Sequence, residues 1–480
     1  MISAWGLRTR DMSVAGWIER GTSAVLFGLF LTGLVLLLFG AYCTFTHKKW
    51  AIYDYGVYTN MIYNSGRGDW FRFLVDRNYL NTHLSFSLAP LGLLFWIWDS
   101  PLVLMVTQWV AFCGGCLCVG LACLRHGFPR VVILAILTLY TLWPFTQSVL
   151  LSSFHGVSMY LLLLPWFYYV CSFSRRWTPL PLVLLLGLRE DAFLYAIPIL
   201  LYVAVRDRWT AGYIYAAAAL AYGLVAIYGL YPWISGRPLA ARRPEVRDAR
   251  LLAIFDWEGF RARRWGLLFV LLPLLPLVRR GVWRACVIAF LAVAIGVASG
   301  YQSQYQLLHH YPAAVMASLI VGMVATLGSG AARKATGPWH HPLVLSGLLL
   351  GVTLWAHHAH GFLAYGARFH PRVSYVDATG PRILRVARQI PKEGILVVPD
   401  GIGGAFGNRP DLLSWRQYKP EKHDVRLVFC EQRELKSGPE APCRTFLDKG
   451  GFGIRYTDDL YVVLEKERPT PGSKSALRAY

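Results

Sequence analysis

No charged side chain interrupts the chain between Ser23 and Phe45, and apolar runs of similar character recur almost to residue 360. A helix needs roughly 20 such residues to cross a hydrocarbon core of about 30 Å, and a lipid-embedded backbone must satisfy its own hydrogen bonds. Hydrophobic residues make up 55% of the chain and charged residues 16%, against about 25% charged in an ordinary soluble domain. A disordered or simple soluble chain is excluded. The runs at 23–45, 101–124, 131–149, 157–173, 178–189, 192–205, 211–231, 266–278, 282–299, 312–328 and 342–360 give eleven candidate spans. Arg8, Arg10 and Arg20 precede the first run, which is too long for a signal-peptide core and reads as a retained transmembrane helix. Leu84 to Trp98 is shorter, contains Pro90, and reads as a juxtamembrane or half-inserted helix.

Orientation follows from the basic residues. Arg125/Arg130, Arg175/Arg176, Arg206/Arg208, Arg279/Arg280/Arg284 and Arg333/Lys334 all fall on the N-terminal side of the membrane, as cytoplasmic loops should. The N-terminus is then cytoplasmic, and an odd number of spans puts residues 361–480 outside. This divides the chain into a cytoplasmic N-terminus, 1–22, a transmembrane domain, 23–360, with outer loops at 46–100 and 232–265, and an extracytoplasmic tail, 361–480. In the tail, Ile395-Leu-Val-Val-Pro399, Val425-Arg-Leu-Val-Phe429 and Leu460-Tyr-Val-Val-Leu464 read as buried strands and Pro381 to Gln389 as an amphipathic helix, which predicts a small α/β domain. Gly401-Ile-Gly403-Gly404-Ala-Phe-Gly407 lacks the third glycine of a dinucleotide fingerprint and reads as an ordinary glycine-rich loop. Cys430 and Cys443 can pair in an oxidising compartment, whereas the other cysteines, including Cys113 and Cys116, lie in or beside apolar runs and read as small hydrophobes.

The outer face collects the polar chemistry. Ten of the 13 histidines fall there. Acids are scarce between residues 24 and 360, and ionisable groups at membrane depth need partners, so those wedged between apolar runs are functional candidates. Asp54, just beyond the first span, either caps a helix or accepts a proton from a nucleophile while Tyr58, Asn60, Tyr63 and Asn64 hold a sugar. Glu190 and Asp191 read as a further proton-transfer or divalent-ion pair, and Arg189 as a phosphate partner, against a hydrated turn with an internal ion pair. His83, His155, His309 and His310 supply donors from three outer loops. Tyr301, Tyr305 and His309 share a helical face suited to a sugar ring or to an interfacial aromatic belt. Arg242 and Arg243 head an arginine-rich loop that fits a lipid phosphate or lipid headgroups. Of His357-His-Ala-His360, at most His357 and His360 share a face, which disfavours a metal cluster.

With these residues placed, the chain resembles a bacterial family of multispanning proteins related to the GT-C glycosyltransferases, integral-membrane enzymes that use polyprenyl-phosphate sugars. The resemblance covers roughly residues 24–465 and rests on Tyr53-Asp-Tyr-Gly56 with Tyr58, Asn64-Ser-Gly-Arg-Gly68, His83-Leu-Ser85, Phe154-His155, Arg189-Glu-Asp191 and His309-His-Tyr-Pro312. It implies a mainly α, GT-C-like transmembrane bundle with the α/β domain appended, in the bacterial inner membrane, the tail being periplasmic. It implies transfer of a sugar from a polyprenyl-phosphate donor to an extracytoplasmic lipid, glycan or protein by an inverting mechanism. Asp54 would be the base or help hold a divalent metal, and Glu190 and Asp191 would complete the catalytic set. Substrate would be bound by His83, His155, Arg189, Tyr301, Tyr305, His309, His310, Arg242 and Arg243. The rival readings are a transporter or lipid flippase, with Glu190 and Asp191 as a coupling site, and a catalytically silent assembly subunit. In every case the net charge of +21 is explained by topology and lipid phosphate, with membrane lipids and a lipid-linked donor as partners and no nucleic acid.

Overall fold

The computed structural model describes residues 14–47, 50–75, 77–242, 257–280, 283–299, 302–329, 341–432, 442–449 and 451–466. The chain divides into two compact units, one formed by residues 1–43, 108–152 and 157–375 and the other by residues 44–107, 153–156 and 376–480. The first loop, assigned from sequence to the transmembrane domain, therefore folds with the tail. Residues 361–375, assigned to the tail, fold with the helices.

The helical unit realises every apolar run as helix, but unequally. Among the described residues five helices are long and apolar enough to cross a membrane: Arg20–Thr46, Leu102–Arg125, Gly156–Phe173, Thr210–Ser235 and Pro342–His360. Arg130–Leu142 and Pro144–Leu150 make a sixth if counted together, bent by 52°. The break has a local cause: Pro144 forces Trp143 out of the helical region, to ψ 135°. The remaining runs give the shorter helices Pro179–Leu186, Phe193–Asp207, Gly266–Val278, Cys286–Ala298 and Ala313–Leu327. Pro179–Leu186, at about 1.5 Å per residue, reaches only about 12 Å. Every residue of Ala313–Leu327 is buried. Its small side chains, among them Ala314, Ala317, Ser318 and Gly322, let Tyr160–Phe173 and Trp283–Ala298 pack against it. Arg20–Thr46 and Thr210–Ser235 are only 28% and 22% buried, leaving apolar side chains such as Val25, Phe27, Ile214 and Tyr228 exposed, as lipid-facing helices require.

In the second unit, strands β1 (Arg72–Phe73) and β2 (Arg77–Asn78) form a small ladder in the first loop. The tail contributes β3 (Ile395–Val398), β4 (Leu412–Ser414), β5 (Val425–Glu431), β6 (Phe452–Thr457) and β7 (Tyr461–Lys466), in the order β4-β3-β5-β7-β6. β3 runs parallel to both β4 and β5, and β7 antiparallel to β5 and β6. The three strands and the helix expected from sequence are present, the helix as Thr379–Gln389; β4 and β6 were not expected. Val397, Leu413, Val428, Phe446, Phe452 and Leu464 form the core, which also encloses the Cys430–Cys443 disulfide.

The first loop is stitched to this domain by buried amides. Asn60, fully buried, donates to the carbonyls of Gly407 (3.2 Å) and Arg409 (2.6 Å) and accepts from the Leu74 N–H (2.6 Å). Asn64 donates to the carbonyls of Arg72 (3.2 Å) and Pro410 (3.3 Å). The Val75 N–H donates to the Leu412 carbonyl (3.1 Å), extending the sheet edge, and His47 pairs with Asp377 at 3.2 Å. Asn60 and Asn64 are thus spent on backbone carbonyls, which corrects the expectation that they hold a sugar. Leu84 to Trp98 folds as a short helix, Phe86–Ile97, with Trp96 and Ile97 exposed.

Candidate active site

Asp54 sits in one turn of π-helix, Ile52–Gly56, which runs directly into the helix Val57–Ser65. Such a turn inserts extra backbone and redirects side chains, and is common at functional sites. Ile52, Tyr55 and Gly56 turn inward, and the Asp54 carboxylate is 61% exposed. Its neighbour across the chain is His155. His155 Nδ1 lies 2.8 Å from the Ser153 carbonyl, which can only accept, so Nδ1 donates to it and Nε2 is turned away from that contact. That Nε2 is 3.9 Å from Asp54 Oδ1, too far for a direct hydrogen bond and close enough for both to engage one intervening group.

Tyr58 holds this arrangement together. Its ring meets His155 edge-on at 5.3 Å, Phe154 at 5.7 Å and Tyr79 at 5.5 Å, and Tyr79 in turn contacts His83 at 6.0 Å. Asp54, His83 and His155, named separately from sequence, therefore belong to one cluster in the second unit. Tyr79 had no sequence signal beyond its aromaticity; Tyr58 had one, lying four residues after Asp54 at helical spacing.

Arg189, Glu190 and Asp191 belong to the helical unit and form a second cluster. Glu190 is 3% exposed, and Arg189 Nε lies 3.7 Å from its carboxylate and 3.4 Å from that of Asp191. Asp191 also accepts from the hydroxyls of Tyr160 (3.3 Å) and Tyr195 (3.2 Å).

The other named residues divide between visible and undescribed. Leu307 and His309 both have left-handed backbones, at φ 53° and 56°, and the rings of His310 and Tyr311 lie 4.2 Å apart. Arg242 ends the short helix Leu239–Arg242 and Tyr305 ends Gln302–Tyr305. Tyr301 and Arg243 lie outside the described residues. One of the loop arginines, Arg263, is buried and donates to the carbonyls of Val297 (2.7 Å) and Ser299 (3.3 Å). His357 bonds Gln147 and the Ala364 carbonyl, and His358 the Tyr365 carbonyl. Among the described residues no three His, Cys, Asp or Glu side chains gather as a ligand set.

Helices of spanning length joined to an α/β unit that carries a carboxylate–histidine pair define a polytopic membrane protein with a candidate site on its first loop. The comparisons with known proteins agree on the membrane class: residues 49–243 match the family described as "Predicted membrane protein (DUF2079)". No curated protein matches the chain. Two crystal structures of ArnT from Cupriavidus metallidurans are similar to it over nearly the whole of both chains. The one bound to undecaprenyl phosphate has 12% identity and a TM-score of 0.46, covering 96% of this chain and 100% of that one. The apo form has 11% identity and a TM-score of 0.49, covering 94% and 98%.

Proposed function

We propose that the chain is an integral-membrane glycosyltransferase of the GT-C type, moving a sugar from a polyprenyl-phosphate donor to an extracytoplasmic acceptor with inversion. The observation that carries this reading is the exposed Asp54 carboxylate facing Nε2 of a His155 ring whose Nδ1 is held by the Ser153 carbonyl. The acceptor's hydroxyl or amine attacks the anomeric carbon, its proton passes to Asp54, and the bond from that carbon to the lipid-phosphate oxygen breaks, leaving the electron pair on the phosphate. His155 orients the nucleophile through the gap it shares with Asp54. Arginine forks suit the departing phosphate, with Arg189, Arg242 and Arg243 as the proposed donors. Glu190 and Asp191 keep their proposed catalytic assignment as a charged pair supporting Arg189. Asp54 and His155 provide only two metal donors, short of a protein-built metal site, so no step is routed through a divalent ion. The disulfide supports a periplasmic setting for the tail, with the helices in the inner membrane.

The test uses the purified full chain in lipid nanodiscs with a panel of undecaprenyl-phosphate-linked sugars, the carrier being that of the ArnT complex, and reads release of undecaprenyl phosphate. Asp54→Asn should lower kcat by about 10²- to 10⁴-fold, the usual weight of a general base. Parent-rate transfer by folded Asp54→Asn removes Asp54 from this role, and co-purification of bulk phospholipid alone favours a transporter or silent subunit.

A further inference from the structure

The glycine-rich loop after β3 has a use that its sequence did not reveal. The Gly404 N–H donates to the Trp50 carbonyl (2.6 Å) and the Ile52 N–H to the Asp400 carbonyl (2.7 Å), so the loop and the chain entering the π-turn bind each other in register. No methyl group fits between them. A Cβ on Gly403 would lie 2.7 Å from the Ile52 Cβ, one on Gly404 2.7 Å from the Trp50 carbonyl oxygen, and one on Gly407 2.5 Å from the Thr59 Cβ. On the turn's own side, a Cβ on Gly56 would come within 3.2 Å of Gly404 Cα. A side-chain tie reaches the residue next to Asp54: the Tyr53 hydroxyl is 3.0 Å from Ser414 Oγ, which is completely buried and bonds Asp400. Asp400 in turn is fixed by Arg416 Nε at 2.6 Å.

We propose that Gly403, Gly404, Gly407 and Ser414 are positioning residues for Asp54. They hold the π-turn from both ends, and the tail thereby sets the aim of the carboxylate on the first loop. The proposal rests on the reading of Asp54 as the base and adds the device that directs it. A carboxylate held by backbone contacts loses alignment when the backbone moves, and a displacement of about 1 Å can cost about 10²-fold in rate while substrate binding elsewhere persists.

Two measurements on the full chain test it. In the first, Asp54→Cys is labelled with a membrane-impermeant maleimide, with parent labelling subtracted. Adding Gly404→Ala should change the labelling rate at least fivefold. Adding Gly401→Ala should leave it within twofold, because a Cβ on Gly401 meets nothing within 4 Å. In the second, with Asp54 intact, Gly404→Ala should lower kcat on the undecaprenyl-phosphate-linked sugar panel about 10- to 100-fold at unchanged KM. Ser414→Ala, which adds no atoms and serves if Gly404→Ala fails to fold, should lower kcat severalfold, again at unchanged KM. Unchanged labelling with Gly404→Ala, or with Ser414→Ala in its place, overturns the positioning role whatever the enzyme does. So does parent kcat in these variants when Asp54→Asn is inactive. Altered labelling together with parent-rate transfer by Asp54→Asn leaves the loop as the device that aims residue 54 and overturns the catalytic reading instead.

Discussion

Removing the Cys430–Cys443 bond should weaken the α/β unit by an amount that separates the cross-link from the packing of its sulfurs. The two cysteines are 13 residues apart and both are completely buried. Closing a loop of that length in the unfolded chain removes entropy worth about 3 kcal/mol at 25 °C, whereas trimming a buried side chain costs typically about 1 kcal/mol per site. The double variant Cys430→Ala, Cys443→Ala loses both contributions. The parent treated with dithiothreitol loses only the first, so it isolates the cross-link. Pulse proteolysis of the full chain in detergent across a urea series reads the stability of this unit. Reduction alone should raise the unfolded fraction about a hundredfold, the factor that about 3 kcal/mol represents, and the alanine pair should raise it further. If reduced and oxidised parent open at the same urea concentration, the cross-link contributes nothing. If both thiols of the native parent alkylate on denaturation without reductant, the bond is absent in the cell and the periplasmic assignment loses its support.

Asn60→Ala should destabilise the same unit by about 2 to 4 kcal/mol in that assay, because it leaves the Leu74 N–H and the Arg409 and Gly407 carbonyls without their buried partner. Acid should act through Asp458. Burial raises its pKa, but the N–H groups of Leu460 and Tyr461, the Tyr456 hydroxyl and Arg382 more than offset this and hold the carboxyl below the usual aspartate range. A carboxyl depressed in the folded state contributes stability that is complete above its unfolded value of about 3.9 and is lost as pH falls through the folded one. The unfolding midpoint should therefore decline below about pH 4, and Asp458→Asn should flatten that decline; an unchanged acid profile in the variant counts against the assignment.

Much of the architecture was legible because its causes are local. Hydrophobic run length reports a helix directly, and the tail's strands at Ile395, Val425 and Tyr461 are runs of β-branched and aromatic residues. Run length reports helix but not where it bends: Pro144 breaks one run, and Pro276 lies where the helix Trp257–Leu271 has given way to a 3-10 turn, whereas Pro165 and Pro198 sit inside unbroken helices. β4 escaped notice because Leu412–Ser414 is three residues long, too short to show a period. The union of the first loop with the tail was hidden for another reason. Its bonds join Asn60 to residues 407 and 409, more than 340 positions away, and a single sequence carries no record of such pairing.

The same limit explains the glycines, and it bears on how the site is to be understood. Glycine serves a chain either by adopting φ above zero or by admitting a close neighbour, and only the first leaves a local turn signature. Gly68, Gly127, Gly236, Gly394 and Gly451 are of the first kind, while none of the four between 401 and 407 has a positive φ. Those three that touch Ile52, Trp50 and Thr59 are of the second kind, and their requirement becomes visible only once the first loop is laid against them. Scarce acids and histidines expected on the outer face were enough to nominate Asp54, His83 and His155 one at a time. In the proposed site their placement depends on the absence of side chains elsewhere, at Gly403, Gly404 and Gly407, which lets the backbone of this loop approach the π-turn that carries the exposed Asp54 carboxylate beside His155.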